Sequence, residues 1–186
     1  VMDPRAAQHV ASFTTMAPSL NQVGHWMRAR LRRPTPRNLG QLLHQALVSN
    51  SLMTFFTLPV LPEIMWRSGL AMRLFARFMW QFERLPFKPM PGVQADAIRY
   101  LGIYRANLLQ QVLRPRPPMR TPIPVHALVA DRDPFLPPRV FEGCRDWALR
   151  YSQSHIDAAH WAPLSRPKEV AAEVRQDGKF CQGACR

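Results

Sequence analysis

Cysteine is scarce in this chain, with three in 186 residues. Cys181 and Cys185 have neither the partner ligands nor the spacing of a zinc site, and Cys144 falls on the apolar side of an amphipathic segment, where a thiol packs as a small hydrophobe. Acidic residues are also few: 12 Asp and Glu face 25 Lys and Arg, for a net charge of +13. Arg28, Arg30, Arg32, Arg33 and Arg37 crowd one segment. No helix-turn-helix, zinc-finger spacing or aromatic RNA-binding signature accompanies them, which leaves direct sequence readout without support. What is left is non-specific attraction to a polyanion or to an anionic membrane surface. Residues 38–62 hold no charged side chain, yet Gln41, His44, Gln45, Asn50, Ser51, Pro59 and Pro62 interrupt them. That is too polar for a spanning helix and predicts a buried one. The first 20 residues lack the basic start and apolar core of a signal peptide, so a cytoplasmic protein is expected. Nor is there a serine or aspartate on a strand-to-helix elbow of the G-x-S-x-G type anywhere in the chain.

An apolar fraction of 47% is ordinary for a globular protein, and 19 prolines point to many turns. The informative stretch is 123–174. Residues 123–130 form an apolar run introduced by Pro122 and Pro124, which fits a buried strand. Asp133 sits on the loop leaving it, and Pro134, Pro137 and Pro138 keep that loop out of helical geometry. Residues 140–150 read as an amphipathic helix carrying Val140, Phe141, Cys144, Trp147 and Ala148. Residues 152–157 read as a short strand, after which Ala158, Ala159, His160 and Trp161 turn away. A carboxylate within reach of an imidazole fixes its tautomer and stabilises the imidazolium formed when it takes a proton. Histidine suits the base because it titrates near neutral pH. Asp133 and His160 are therefore candidate acid and base, and a helix-capping Asp133 beside an ordinary loop histidine is the alternative.

Further upstream, four helices are expected between residues 21 and 112. They cover 21–31, then 35 or 37 to 49, 63–84 with Ile64, Trp66, Leu70, Leu74, Phe75, Phe78, Met79 and Phe82 on one wide apolar face, and 93–112. The last carries Tyr100 and Tyr104 one turn apart. Met and Phe in this region suit either an apolar pocket or plain helix packing.

The segments Ala130-Asp131-Arg132-Asp133-Pro134-Phe135-Leu136-Pro137, Ala159-His160-Trp161 and Arg166-Pro167-Lys168-Glu169-Val170-Ala171 resemble the C-terminal part of α/β-hydrolase fold proteins of the epoxide-hydrolase-like branch. Tyr100-Leu101-Gly102-Ile103-Tyr104-Arg105-Ala106-Asn107 resembles the cap segment of that branch whose tyrosine hydrogen-bonds the epoxide oxygen. The resemblance implies Asp133 as acid, His160 as base and Asp131 as the non-catalytic acidic residue before them. It implies Tyr104, with Tyr100 competing and Trp161 adjacent, as substrate-binding, and no metal or cofactor. Residues 3–15 resemble the end of a helix and the sixth strand of the same fold.

On that reading the chain is α/β, an incomplete α/β-hydrolase fold with a mostly helical cap and part of the parallel sheet. Residues 1–20 are the sixth-strand region, 21–119 the cap, 120–175 the last two strands and helices, and 176–186 a disordered, out-of-frame tail. Its nearest resemblance is to the hydrolase half of hydrolase and short-chain-dehydrogenase fusions. The expected function is a fragment of an epoxide hydrolase acting on a small lipophilic substrate, inactive alone because the nucleophile is missing. Three alternatives stay open: an esterase-type fragment, a non-enzymatic protein binding an apolar ligand or a polyanion, and an unstable product with an exposed sheet edge.

Overall fold

The computed structural model describes residues 4–117 and 119–183. Three parallel strands form its sheet in the order β1, β2, β3: Phe13–Thr15, Val125–Ala130 and Tyr151–Ile156. β2 lies between the other two and is almost wholly buried, as an apolar run in a parallel sheet must be. It pairs with β3 along its full length, from Val125 opposite Tyr151 to Ala130 opposite Ile156. The loops leaving both strands therefore start side by side at one end of the sheet.

Alternation along β2 separates two packed layers. Ala127 and Val129 meet Val23, Trp26, Leu42, Leu136, Val140, Phe141 and Cys144 on one face. Leu128 and Ala130 meet Ile156, Ala158 and Ala162 on the other, with Val170 against them. That second layer comes from α7 (Ala162–Ser165) and α8 (Pro167–Gly183).

Between β1 and β2 the chain makes a helical insertion. Helix α1 (Leu20–Leu31) begins in a capping box, Ser19 and Gln22 each accepting from the other's backbone N–H. Helix α2 (Pro36–Gln45) is capped by Thr35 with Pro36 in its first turn. A π-helical segment, Ala46–Asn50, joins it to α3 (Ser51–Thr57). The remaining helices are α4 (Leu61–Arg67), α5 (Leu70–Phe78) with a π-helical extension Met79–Glu83, and α6 (Val93–Leu113). α6 is packed by α1, α3 and α4. Arg105 of α6 pairs with Glu63 of α4 at 2.7 Å, and this guanidinium holds the Glu63 carboxyl below its ordinary range.

Several elements differ from the sequence expectation. The single helix expected over 63–84 is two, because Gly69 takes a left-handed conformation at φ 75° between α4 and α5. The helix expected over 140–150 is a pair of 3-10 turns, Pro138–Phe141 and Cys144–Trp147, separated by Gly143 at φ 84°. Ala148 is extended and bridges to Thr121, which ends any helix there. The backbone of α8 continues to Gly183, into the segment 176–186 read from sequence as a tail; residues 184–186, Cys185 included, and the side chain of Cys181 lie outside what is described. Among the described residues no single helix is long and apolar enough to cross a membrane, and the uncharged run 38–62 is bent by 93° between α3 and α4.

Two predictions follow from this packing. A Cβ on Gly24 of α1 would lie 2.7 Å from the carbonyl oxygens of Gln111 and Val112 in α6. Backbone cannot yield cheaply, so Gly24→Ala is expected to lower stability by about 1–3 kcal/mol in urea unfolding; a wild-type midpoint would show that α1 and α6 are not this close. Burial, with the Asp146 charge second, pushes the Cys144 thiol up to about 12. Burial likewise raises Tyr151 to about 12, helped by Cys144 and opposed by Arg145. In the unfolded chain these groups lose their protons near ~8.5 and ~10. Above ~8.5 the unfolded state thus binds fewer protons than the folded one, and stability falls as pH rises toward 12. Urea midpoints at alkaline pH are expected below those near neutrality, with Cys144 contributing roughly 1–3 kcal/mol of the loss; midpoints that hold or rise would contradict the burial.

Candidate active site

Asp133 leaves β2 three residues after Ala130, and its own N–H donates back to the Ala130 carbonyl at 3.2 Å. Its side chain is only 4% exposed. Oδ1 accepts the backbone N–H groups of Phe135 and Leu136 at 2.8 and 2.9 Å, a turn that Pro134 and Pro137 bracket. Oδ2 accepts from Nδ1 of His160 at 2.7 Å. The carboxylate therefore has three donors, which is what a buried anion requires.

His160 arrives from the other loop. After β3, the N–H of Asp131 donates to Ile156 and that of Arg132 to Ala158, at 3.0 Å each, so the two loops run clasped together. Ala158 and Ala159 are buried, and their small side chains let the chain pass close to the β2 loop. With Nδ1–H committed to Asp133, the other nitrogen of His160 is the one free to take a proton. The ring is 30% exposed and has no second hydrogen-bond partner among the described residues. Asp131, next to this pair in sequence, is turned elsewhere and accepts from His155 Nδ1 at 2.6 Å.

An aromatic wall borders the imidazole. Phe135 and Trp161 meet the His160 ring edge-on, with centroids 5.1 and 4.8 Å away. Phe78 of α5 stacks on Phe135 at 5.1 Å, and both Phe75 and Phe78 meet Trp161 edge-on. Below them Glu83 is 7% exposed and accepts the backbone N–H of Trp161 at 2.6 Å. The Phe135 carbonyl accepts from Gln45 of α2 at 3.0 Å. The insertion is thus fastened to both loops of the pair.

Of the residues expected from sequence, the structure brings Asp133, His160 and Trp161 together. Tyr104 is half-buried on α6, its ring 5.1 Å from Phe56, and burial raises its phenol above the ordinary range. Tyr100 is 62% exposed. No ring contact or hydrogen bond joins either tyrosine to the His160 cluster among the described residues. Glu83 went unnoticed in the sequence, although it is the only acidic residue between Glu63 and Asp96 and sits among Met79, Trp80 and Phe82. The cavity of about 520 Å³ lined by Phe13, Val125 and Tyr151 opens at the starts of the strands, away from Asp133 and His160. A parallel sheet presents its ligand-binding loops at the carboxyl ends, and this cavity lies at the other end from the Asp133–His160 pair. No cluster of metal-ligating side chains occurs among the described residues.

No family model matches the chain. Curated proteins described as "probable oxidoreductase EphD", from Mycobacterium tuberculosis and Mycobacterium bovis, are 28% identical to it over 188 residues. The alignment takes in 97% of this chain and 31% of theirs, so the chain spans about a third of these relatives' length. Among solved structures, a point mutant of an epoxide hydrolase from Bacillus megaterium matches with TM-score 0.60 and 18% identity, over 92% of this chain and 62% of that one. An inhibitor complex of Bacillus megaterium epoxide hydrolase matches at 0.59 and 18%, over 93% and 62%. The fold is of the α/β-hydrolase type found in these enzymes, with a mostly helical chain around a small parallel sheet.

The Glu83 contact can be tested by itself. Glu83→Ala leaves the Trp161 N–H without its acceptor and is expected to cost about 1–3 kcal/mol in urea unfolding, whereas Glu83→Gln keeps an oxygen there and costs less. Equal losses for the two variants would mean that the hydrogen bond does not hold the Trp161 loop.

Proposed function

We propose that this chain supplies the acid, the base and the substrate cap of an epoxide-hydrolase-type α/β-hydrolase. The observation that carries the reading is the 2.7 Å contact between a buried, triply bonded Asp133 and His160 at the carboxyl ends of two parallel strands. In the proposed cycle a carboxylate nucleophile attacks one epoxide carbon. The C–O bond breaks, and an alkyl-enzyme ester forms with the ring oxygen leaving as an alkoxide that is protonated. His160 then takes a proton from water, and the hydroxide adds to the ester carbonyl. Collapse breaks the acyl C–O bond; the imidazolium returns its proton to the departing oxygen to give the diol, and the carboxylic acid left behind becomes the carboxylate again by reprotonating the group that protonated the first alkoxide. Asp133 holds the His160 tautomer and stabilises the imidazolium without itself gaining a proton.

The cap assignments belong to the same proposal. Tyr104, shielded against Phe56, is better suited than the exposed Tyr100 to donate to the epoxide oxygen, because a phenol aimed at a developing alkoxide is worth most away from water. Trp161, Phe78 and Phe135 offer apolar faces beside His160 for the lipophilic part of the substrate. The greater length of the mycobacterial relatives and their description as oxidoreductases support placing this hydrolase part in a longer protein that also carries a dehydrogenase. The nucleophile would come from sequence outside these 186 residues.

The isolated chain is expected to hydrolyse styrene oxide no faster than buffer. Joined to a hydrolase core that carries a carboxylate nucleophile, and shown to be folded by circular dichroism, it is expected to form the diol. His160→Ala in that chimera should stop at the ester, seen as one substrate mass added per protein, and Asp133→Asn should slow turnover about 10²–10⁴-fold. A folded chimera that turns over equally well after His160→Ala would remove His160 from the reaction. Cleavage of carboxylic esters but not epoxides by a serine-bearing core would move the assignment to the esterases.

A further inference from the structure

Helix α5 has two faces of different chemistry. One presents Phe75 and Phe78 to Trp161. On the other, Leu70, Arg73, Leu74 and Arg77 fall within one arc at helical spacing, and all four are exposed, the leucines at 46% and 52%. Trp80, in the π-helical extension, is 59% exposed, and Arg84 and Lys88 beyond it are exposed as well. On neighbouring α4, Leu61 and Ile64 are 47% and 53% exposed beside exposed Arg67.

Along α5 and its π-helical extension, short of Glu83, the charged side chains have a single sign. Residues 64–82 contain no Asp or Glu. Of the two flanking acids, Glu63 is paired with Arg105, and Glu83 is buried and spent on the Trp161 N–H. The side chains of Arg73, Arg77, Arg84 and Lys88 have neither a hydrogen-bond nor an ion-pair partner among the described residues. These cations therefore point to an anionic partner from outside the chain. That partner must also cover leucines and an indole. A duplex would neutralise the cations but leave Leu70, Leu74 and Trp80 in water. The headgroup region of an anionic bilayer meets both demands: guanidinium heads reach the phosphates while their stems, the leucines and the indole lie along the acyl boundary.

We propose that the outer face of α4 and α5 docks the chain on an anionic lipid bilayer. The proposal concerns binding, and it stands or falls separately from the chemistry assigned to His160.

Flotation of the whole chain with large vesicles of phosphatidylcholine, alone or with about one-third phosphatidylglycerol, tests it. Binding to the anionic vesicles, and much less to the neutral ones, is expected. The triple variant R73Q/R77Q/R84Q should partition about 100-fold more weakly, at roughly a 5-fold loss per arginine. L70Q/L74Q/W80Q should lose at least about 10-fold at unchanged charge. R32Q/R33Q/R37Q removes the same charge elsewhere and should retain most of the binding; circular dichroism checks that each variant keeps its helices. Equal binding to neutral vesicles would overturn the proposal. So would an equal loss in the R32Q/R33Q/R37Q control, or binding unchanged by L70Q/L74Q/W80Q together with displacement by a random DNA duplex.

Discussion

The buried carboxylate of Asp133 constrains everything around it. An ion at 4% exposure is tolerable only when its lone pairs are filled, and here the filling comes from two separate loops. Phe135 and Leu136 donate from the loop after β2, and His160 donates from the loop after β3. Moving either loop by one hydrogen-bond length would strand the charge. The parallel register of β2 and β3 brings Ala130 opposite Ile156, and with it both loops to the same end of the sheet. The clasp from Asp131 and Arg132 to Ile156 and Ala158 extends that register past the last paired residues. Asp133 is thus an end point of sheet pairing, and the orientation of His160 is inherited from it.

The helical insertion is coupled to the same residues. Phe135 gives its N–H to Asp133, receives Gln45 at its carbonyl, and stacks its ring on Phe78. Trp161 follows His160 directly, gives its N–H to Glu83 and sets its ring against Phe75 and Phe78. The loops of Asp133 and of His160 therefore each carry one aromatic residue that reports the position of α5. A displacement of α5 would reach both members of the pair through packed rings and short hydrogen bonds rather than through long-range fields.

How much of this could be read from the residues depends on the range of the interaction involved. The strand at 125–130 is legible because an apolar run introduced by prolines has few other solutions, and Asp133 is legible because it follows that strand; His160 is legible from the turn Ala158-Ala159-His160-Trp161 after the short strand at 152–157. The caps of α1 and α2 are also local, requiring only Ser19 with Gln22 and Thr35 with Pro36. The segment 140–150 reads as a helix from its apolar spacing, yet Gly143 in a left-handed conformation and the bridge from Ala148 to Thr121 convert it to two 3-10 turns. That outcome is set by Thr121, 27 positions earlier in the chain, and periodicity has no access to it. Glu83 shows the same limit. A lone acid among arginines looks like a surface residue until Trp161 is brought over it.

The break at Gly69 and the π-helical turn at Met79–Glu83 explain why α5 can serve two surroundings at once. One continuous helix over 63–84 would carry α4 and α5 along a single axis, and the apolar residues from Ile64 to Phe82 would have to share one stripe. Gly69 at φ 75° lets the chain turn, so that α4 packs on α6 while α5 lies over the Phe135 and Trp161 loops. At the far end, the wider π turn accommodates Met79 and Glu83 inside, at 2% and 7% exposure, while leaving Trp80 outside. Such turns are costly in hydrogen-bond geometry and tend to persist where a side chain must be aimed. Here the aimed side chain is Glu83, whose carboxylate meets the Trp161 N–H next to His160. The backbone irregularity and the position of His160 are therefore parts of one arrangement, and a regular helix in its place would release the loop that carries the imidazole.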